Sequence, residues 1–422
     1  MSRTGGHGGR DRGGPAALSG CAFLAARHGA DARRPLWRAG DGRGARRRRR
    51  RPLRGRDPVS PAGAAVVTGA GQAAGPATLL VTGAGGFLGR AIVAAALARG
   101  FAVRAVARDV SKLDDAPWRG APGVERIEID LGAPEARAQL DAALVDGIDA
   151  VIHAAAGAGD DAAHARDTVA ATENLIAAMT ACRRAPTLAL ISSLSVYNYA
   201  SMPAGATLDE TTPLEPEPAR RDAYCRAKLA QEALAWEAAQ IGGLRVCALR
   251  PGAIVGRGRA RTARLGYAVG PLLIMPGGRA AIPAIAVDDC AALIVAAALA
   301  PPTRSDLPIL DGAGWFEAIN LVGRAQPDQA SYAALIARTG WPRRVLRAPL
   351  RLARAPAQAV ALAAMAIPAL ARRAPGPLRL ESFDARFKPL RFSVARSEDR
   401  LGFGAERPLA EVAGEMAEDG DR

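Results

Sequence analysis

Lysine, histidine and aromatic residues are scarce in this 422-residue chain. Lysine occurs only at Lys112, Lys228 and Lys388, and beyond residue 77 histidine occurs only at His153 and His164. So few histidines disfavour a histidine-based metal centre, and we predict no metal site. Because arginine supplies the other basic side chains, each lysine is a stronger candidate for a specific role.

Cysteine pairing patterns are absent as well. The chain has no CxxC spacing, and its five cysteines are scattered at Cys21, Cys182, Cys225, Cys247 and Cys290. This usage is typical of a reducing compartment, and we expect a cytoplasmic protein. The segment 16–27 is too short and too polar to resemble a secretory signal peptide.

Acidic residues are rare only in the N-terminal segment. Residues 1–77 contain sixteen arginines, no lysine and four aspartates, so they carry +12 of the formal net charge of +15. The rest of the chain carries +3, which is ordinary for a soluble enzyme and argues against a specific nucleic-acid partner. We predict a disordered basic tail over 1–76. The arginine run 46–51 could bind phosphates or act as a targeting signal, but a solvated tail, or sequence upstream of the true start codon, is favoured.

Strand-like and helix-like segments alternate from Thr78 onward. The predicted strands are 78–82, 101–107, 124–131, 149–154, 187–191, 246–249 and 316–322, and the first predicted helix covers 90–99. Strands separated by helices form right-handed βαβ units in a parallel sheet that is buried on both faces. The fold class is therefore α/β, a doubly wound, Rossmann-type parallel sheet with a smaller, mainly helical C-terminal substrate lobe.

The domain organisation follows from where this alternation weakens. We predict a Rossmann domain over 77–256, to which 286–322 returns, a substrate lobe from 257–285 and 323–416, and a tail over 417–422. The stretch 355–371 is apolar, but Pro356 and Pro368 interrupt it and its length is at the lower limit for spanning a bilayer. A helix packed on the substrate lobe is favoured over membrane contact.

Two glycine motifs imitate a dinucleotide-binding turn. In such a turn glycines allow a tight bend and close backbone approach, and the following helix offers its N-terminal N–H groups to the pyrophosphate. The motif at 69–75 is followed by Pro76 and another strand, so no helix can begin there. The motif at 83–89 is followed by a helical segment and a strand. We predict that 83–89 binds the dinucleotide and that 77–256 is therefore an NAD(P)-binding Rossmann domain.

The end of the second strand bears on the choice of cofactor. A carboxylate there holds the ribose 2′-hydroxyl of NAD, whereas an arginine favours the 2′-phosphate of NADP. Because Arg108 precedes Asp109, NADP is slightly preferred and NAD remains open. Asp130 and Leu131, after the third strand, could lie near the adenine, although Asp130 could equally cap a helix or turn.

Tyr224 and Lys228 are four residues apart and therefore share one helix face. A nearby cation stabilises a phenolate and lowers its pKa, so this spacing suits a tyrosine that exchanges protons. Ser192 and Ser193 follow the fifth strand, where side chains face the ligand crevice. A serine hydroxyl there could polarise the substrate oxygen while Tyr224 exchanges its proton.

With these motifs the chain resembles extended short-chain dehydrogenase/reductases of the NAD-dependent epimerase/dehydratase family, from about Thr78 to about Met416. Further matching segments lie at 151–156, 192–197, 209–210, 250–256, 287–289, 319–323 and 401–403. The resemblance implies a homodimer acting on a small-molecule substrate.

The resemblance also implies residue roles. Tyr224 would be the acid/base, Lys228 its activator and Ser193 the substrate-polarising hydroxyl. Pro251 to Ile254 would line the nicotinamide. The other residues implied to bind the cofactor are Gly83, Gly86, Phe87, Leu88, Gly89, Arg108, Asp130, Leu131, Ala154, Ala155, Ala156, Tyr224 and Lys228. The chain departs from the family at Thr168, where members often carry asparagine.

Three functions remain open. The family's hydride chemistry fits epimerisation or reduction of a nucleotide sugar, and it fits oxidation or reduction of a hydrophobic alcohol or ketone, as in hydroxysteroid dehydrogenases and dihydroflavonol reductases. The lipophilic, helical C-terminal lobe slightly favours the second substrate class. A dehydratase is disfavoured because residues 194–196 read Leu-Ser-Val instead of supplying an Asp-Glu pair. A non-catalytic NAD(P)-binding sensor or scaffold is disfavoured by the intact Ser193, Tyr224 and Lys228.

Overall fold

The computed structural model describes residues 77–145, 147–183, 185–300, 314–366 and 379–418. The predicted basic tail, the rejected glycine motif at 69–75 and Cys21 lie outside these ranges. The described strands are β1 (Thr78–Thr82), β2 (Ala102–Ala107), β3 (Val124–Glu128), β4 (Ile148–His153), β5 (Thr187–Ile191), β6 (Thr207–Leu208), β7 (Arg245–Pro251), β8 (Ala253–Val255), β9 (Tyr267–Val269), β10 (Leu272–Pro276), β11 (Ala284–Ala286), β12 (Trp315–Leu321), β13 (Arg344–Ala348) and β14 (Arg391–Phe392).

The described helices connect these strands. They are α1 (Phe87–Ala98), α2 (Ala136–Ala143), α3 (Asp161–His164), α4 (Ala171–Ala181), α5 (Ala223–Ile241), α6 (Val287–Leu299), α7 (Gln329–Ile336), α8 (Leu350–Ala366), α9 (Leu380–Phe387), α10 (Ala395–Leu401) and α11 (Leu409–Glu418). A π-helical segment, Ala165–Ala170, joins α3 to α4.

A seven-stranded, all-parallel sheet organises the chain, in the order β12-β7-β5-β4-β1-β2-β3. One face packs against α1 and α6, and the other packs against α2, α4 and α5. This burial on both faces explains the uninterrupted apolar runs of β1 and β5. The predicted Rossmann-type sheet is confirmed, and β12 returns to it at the edge beside β7.

Two element boundaries differ from the sequence prediction near the glycine turn. The first helix begins at Phe87, three residues earlier than predicted, because the glycines that suggest a loop also fit its first turn. β3 ends at Glu128, so Asp130 and Leu131 lie in the loop after it.

The region beyond β8 contains more sheet than its composition indicates. β10 pairs antiparallel with β9 and parallel with β13, and β8 pairs with β11. These strands have three to five residues, and β13 joins β10 from about 70 residues away, so local patterns could not reveal the pairing. α8 covers much of the apolar stretch 355–371, and none of the helices in the described ranges is long and apolar enough to cross a membrane.

Candidate active site

The glycine turn after β1 brings two strand ends into close contact. Gly83 has a φ of +68°, and a Cβ at this position would lie 2.7 Å from the Ala155 nitrogen. A Cβ on Gly89 would lie 2.0 Å from the Gly83 carbonyl oxygen. Only glycine fits at both positions, and the first N–H groups of α1 are left free of intrahelical partners at the same place. This is the geometry that accepts a pyrophosphate.

A cleft of about 320 Å³ opens beside this turn, at the carboxyl ends of β1, β2 and β4. Many of the residues predicted to bind the cofactor line it, namely Gly83, Gly86, Arg108, Asp130, Leu131, Ala154, Ala155 and Ala156. The sequence analysis did not select Lys112 and Asp167, which also line the cleft. Residues as far apart in the sequence as Gly83 and Asp167 thus share one groove of the size and position expected for the adenosine half of a dinucleotide.

Charged side chains form a connected group on the rim of the cleft. Arg108 Nη1 donates to Asp167 Oδ2 at 3.0 Å, and Arg166 pairs with both Asp130 and Asp167. The hydrogen bond with Asp130 is the main cause that raises the pKa of Arg166. Asp130 is therefore partly engaged by a neighbouring cation.

Asp109 is committed to its own loop. Its Oδ1 accepts hydrogen bonds from the Ser111 backbone nitrogen at 3.0 Å and from the Ser111 hydroxyl at 2.6 Å. These bonds lower the pKa of Asp109 below its usual value. Arg108 and Lys112 flank this aspartate, and all three residues line the cleft.

Tyr224 and Lys228 lie on the first turns of α5, which begins after the N-cap Asp222. The Lys228 ammonium is 5.9 Å from the centre of the Tyr224 ring. It donates to the Ile191 carbonyl at 2.7 Å and to Gln231 Oε1 at 2.9 Å, which uses two of its three N–H groups. The bond to Ile191, the last residue of β5, therefore holds the Lys228 ammonium at the carboxyl end of this strand.

The pKa values of this pair differ from the sequence expectation. Burial lowers the pKa of Lys228 to about 8, although Glu232 raises it in part. The pKa of Tyr224 is raised because desolvation outweighs the lowering effects of Ser193 and Arg259. Desolvation therefore outweighs the lowering of the Tyr224 pKa by the neighbouring cation Arg259.

Ser193 lies beside Tyr224, two residues after β5 ends. A hydrogen bond between the Ser193 and Tyr224 side chains lowers the pKa of the phenol. Ser193 Oγ also accepts from the Ser195 backbone nitrogen at 3.1 Å, as the N-cap of a short 3₁₀ turn. The structure thus brings Ser193, Tyr224 and Lys228 together.

The other predicted cofactor residues lie along the same edge of the sheet. Phe87 and Leu88 open α1, Pro251 ends β7 and Ile254 lies in β8. Leu88 and Ile254 pack against the core beneath the sheet edge. The Arg259 guanidinium lies 5.3 Å from the centre of the Phe87 ring, and its charge acts to lower the pKa of Tyr224.

A buried ion pair supports the site from below. Arg250 donates to both carboxylate oxygens of Glu232, at 2.9 and 2.6 Å, and to the Tyr197 hydroxyl at 2.8 Å. The Ser192 hydroxyl also donates to Glu232, and Tyr197 donates to Asn320 Oδ1 at 2.7 Å. Sequence reasoning missed Glu232 and Arg250 as a pair, although one charge in an apolar strand and another four residues after Lys228 were visible signals.

The fold is a parallel sheet covered by helices on both faces. Its edge carries a glycine turn, a cleft of the size expected for adenosine, and the group of Ser193, Tyr224 and Lys228. Together these features define a dinucleotide-binding α/β protein. Residues 79–306, more than half of the chain, match the NAD dependent epimerase/dehydratase family. The chain belongs to this family, as its resemblance to extended short-chain dehydrogenase/reductases predicts.

Solved structures share this fold at low sequence identity. MoeE5 in complex with UDP-glucose and NAD is 21% identical, with a TM-score of 0.56, and the alignment covers 81% of this chain and 97% of that one. UDP-glucuronic acid 4-epimerase from Bacillus cereus in complex with NAD is 18% identical, with a TM-score of 0.58 and coverages of 82% and 98%. UDP-glucose 4-epimerase from Brucella ovis in complex with NAD is 20% identical, with a TM-score of 0.57 and the same coverages. No curated protein sequence matches the chain.

Proposed function

We propose that this protein is an NAD(P)-dependent epimerase or oxidoreductase that exchanges a hydride with a carbinol or ketone carbon of a nucleotide sugar. The observation that carries the proposal is the grouping of Ser193, Tyr224 and Lys228 at the sheet edge that also bears the glycine turn. The ligands of the structurally similar proteins, UDP-sugars and NAD, support this substrate class.

The residues of the turn and cleft fit a dinucleotide. Glycine at positions 83 and 89 allows the close backbone contacts that form the tight turn, and the first N–H groups of α1 at this turn suit the pyrophosphate. Ala154 to Ala156 and the loop 130–131 would hold the adenosine half, and Pro251 to Ile254 would line the nicotinamide. When bound, the nicotinamide supplies a hydride donor or acceptor at its C4 carbon.

The chain's own side chains would move the proton. Tyr224 is protonated at neutral pH, as any phenol with a pKa near 10 is, so it can donate to a ketone oxygen. The Ser193 hydroxyl would share a hydrogen bond with the same oxygen. In the opposite direction the phenolate must form, and the charges of Lys228 and Arg259 would stabilise it.

We further propose that NADP is preferred over NAD. Arg108 and Lys112 are both cationic, and they line the cleft together with Asp109, whose carboxylate oxygen Oδ1 is engaged by Ser111. Two cations suit a 2′-phosphate, and an engaged carboxylate is a poorer partner for a 2′-hydroxyl.

An arginine-rich segment favours an anionic substrate over a hydrophobic alcohol. Residues 257–264 contain four arginines, and Arg259 lies near Tyr224. Arg261 stacks 4.2 Å from the centre of the Trp341 ring, and Arg264 donates to the Tyr199 hydroxyl at 2.7 Å. Such anchored guanidinium groups suit a diphosphate, which a nucleotide sugar carries.

The test is turnover of purified protein with NADPH or NADH against panels of UDP-sugars and hydrophobic ketones. Tyr224→Phe should abolish turnover and leave cofactor affinity largely unchanged. Tyr267→Phe is the matched control and should keep wild-type turnover, because Tyr267 lies in β9 and packs against Phe387, the last residue of α9. Turnover retained by Tyr224→Phe would refute the acid/base role. Activity on ketones alone would point to the hydrophobic substrate class, and cofactor binding without any turnover would support a scaffold.

A further inference from the structure

A chain of buried hydrogen bonds links Lys228 to the glycine turn. Gln231 Oε1 accepts from the Lys228 ammonium at 2.9 Å, and Gln231 Nε2 donates to Thr172 Oγ1 at 2.8 Å. Thr172 Oγ1 lies 3.0 Å from His153 Nε2, and His153 Nδ1 lies 2.7 Å from Thr82 Oγ1. The four side chains between the lysine and the turn are fully buried.

Only one arrangement of protons satisfies all of these contacts. The Thr172 hydroxyl donates to the Thr168 carbonyl at 2.6 Å, so its oxygen must accept from both Gln231 and His153. His153 therefore carries its proton on Nε2, and its Nδ1 accepts from the Thr82 hydroxyl. The Thr82 oxygen in turn accepts from the Ala155 backbone nitrogen at 3.3 Å.

This arrangement also determines which way the Gln231 amide faces. If the amide were rotated, its NH₂ group would point at the Lys228 ammonium and its oxygen at Thr172, whose only proton is already used. Burial lowers the pKa of His153 to about 3, so the imidazole stays neutral and keeps the same donor and acceptor roles at neutral pH. The Thr168 carbonyl thus determines which group donates and which accepts in each hydrogen bond as far as the Lys228 ammonium.

We propose that Thr172 is a positioning residue for Lys228: its hydroxyl holds the Gln231 amide with the carbonyl oxygen facing the ammonium. The consequence for function rests on the proposed role of Lys228 in proton exchange. Thr172 is the second residue of α4, and the Thr168 carbonyl that orients it lies four residues earlier, in the π-helical segment.

Loss of the Thr172 hydroxyl should destabilise the charged lysine. The titratable groups around the Lys228 ammonium are Glu232, Tyr224, His153 and His164. Glu232 favours the charged form of Lys228 but is shared with Arg250. Burial and the charge of Lys228 lower the pKa values of His153 and His164. Without a fixed Gln231 oxygen, one charge-assisted hydrogen bond is lost, and the titration midpoint of Lys228 should fall by about one pH unit.

The scarcity of lysine makes this shift directly measurable. Full-length protein labelled at the lysine ε-carbon gives three lysine NMR signals, and Lys112→Arg and Lys388→Arg assign them. Thr172→Val keeps the shape and removes the hydroxyl, whereas Thr172→Ser keeps the hydroxyl. Thr180→Val is the control, because the Thr180 hydroxyl donates only to backbone carbonyls of α4.

The expected result is a midpoint lowered by about one unit in Thr172→Val and unchanged in Thr172→Ser and Thr180→Val. Gln231→Met tests the same link from the other side and should lower the midpoint equally. It replaces Thr172→Val if a Tm measurement shows that Thr172→Val does not fold. A Lys228 midpoint equal to wild type in the folded variants, or an equal shift in Thr172→Ser, would overturn the proposal.

The same shift should appear in catalysis. The alkaline limb of the pH profile of kcat should move to lower pH in Thr172→Val, with a loss of about fivefold at pH 8 and little change in KM. The NMR titration needs no substrate, so it judges the positioning role even if Tyr224→Phe were to retain turnover and refute the proposed function.

Discussion

The Arg108 guanidinium and the Asp167 carboxylate meet across the mouth of the cleft, at 3.0 Å. Arg108 follows β2, and Asp167 belongs to the π-helical segment between α3 and α4, so the pair closes one side of the groove. The arginine side chain is 57% exposed, and exposed pairs contribute about 0–1 kcal/mol to stability. A bound phosphate could therefore share or replace Asp167 at small cost.

Arg108→Ala should reduce NADPH affinity by about tenfold to a hundredfold, because a charge-assisted hydrogen bond contributes about 1.5–3 kcal/mol. NADH affinity should change much less, since NADH has no 2′-phosphate. Dissociation constants for both cofactors, measured by calorimetry, test this prediction.

Arg137→Ala is the matched control for Arg108→Ala. Arg137 pairs with Asp141 on the exposed surface of α2 and does not line the cleft. Its loss should leave both affinities unchanged. An equal loss of NADPH and NADH binding in Arg108→Ala would show that the arginine does not read the 2′-phosphate.

Gly89→Ala should disrupt the glycine turn. The new Cβ would lie 2.0 Å from the Gly83 carbonyl oxygen, and backbone on both sides would have to move. We expect a loss of roughly 3 kcal/mol in unfolding free energy, together with loss of cofactor binding. Urea denaturation and a cofactor titration measure the two effects.

Gly414→Ala provides the comparison, because it is also a helical glycine but a Cβ there meets nothing within 4 Å. It should stabilise the protein by up to about 1 kcal/mol, since alanine has the higher helix propensity. If both alanine variants behaved alike, the close approach at Gly89 would not be what requires glycine.

Glu232→Gln should strongly destabilise the protein. The Arg250 and Glu232 side chains are 4% and 2% exposed, so removing the carboxylate leaves a buried, unpaired guanidinium. Desolvation acts to lower the pKa of Arg250, but the charge of Glu232 reverses this and the net pKa is raised. We expect a loss of about 3–5 kcal/mol.

Asp141→Asn, which breaks the exposed pair with Arg137, should cost less than about 0.5 kcal/mol. Comparable losses in the two variants would contradict this account.

His153 should make stability depend on pH below neutrality. Burial lowers its pKa from 6.5 to about 3, so between these values the unfolded chain binds a proton that the folded chain does not. Stability should therefore fall as the pH decreases through this range, by about 2 kcal/mol from pH 6.5 to pH 5 for this group. His153→Gln removes the titrating group, and denaturation at both pH values should show a correspondingly shallower decrease. Equal decreases in both proteins would exclude His153 as the cause.

The sheet could be predicted because its signals are local. β1 and β5 were located residue for residue, since strands buried on both faces are short continuous apolar runs between turn signals. The start of α1 and the pairing of β10 with β13 were not predicted. The first depends on glycines tolerated inside a helix, and the second joins short strands distant in the sequence.

Some features of the candidate site could likewise be predicted from sequence, and others could not. The spacing of Tyr224 and Lys228 predicts a shared helix face, and position after a strand predicts that Ser193 faces the crevice. Lys112 was visible as a rare lysine, but its place on the cleft depends on how the loop after β2 turns. The direction of the Tyr224 pKa shift depends on desolvation, which a sequence does not display.

The sequence by itself determined the parallel sheet, the glycine turn that a helix must follow and the one-face spacing of tyrosine and lysine. Each depends on residues within a few positions of one another, where backbone geometry alone relates them. Only the tertiary structure decided that Asp109 lines the cleft with Arg108 while accepting hydrogen bonds from its own loop, and that Thr172, Gln231 and His153 meet beneath Lys228. Those relationships depend on side chains from separate elements becoming neighbours at one edge of the sheet, and on how far each is removed from water.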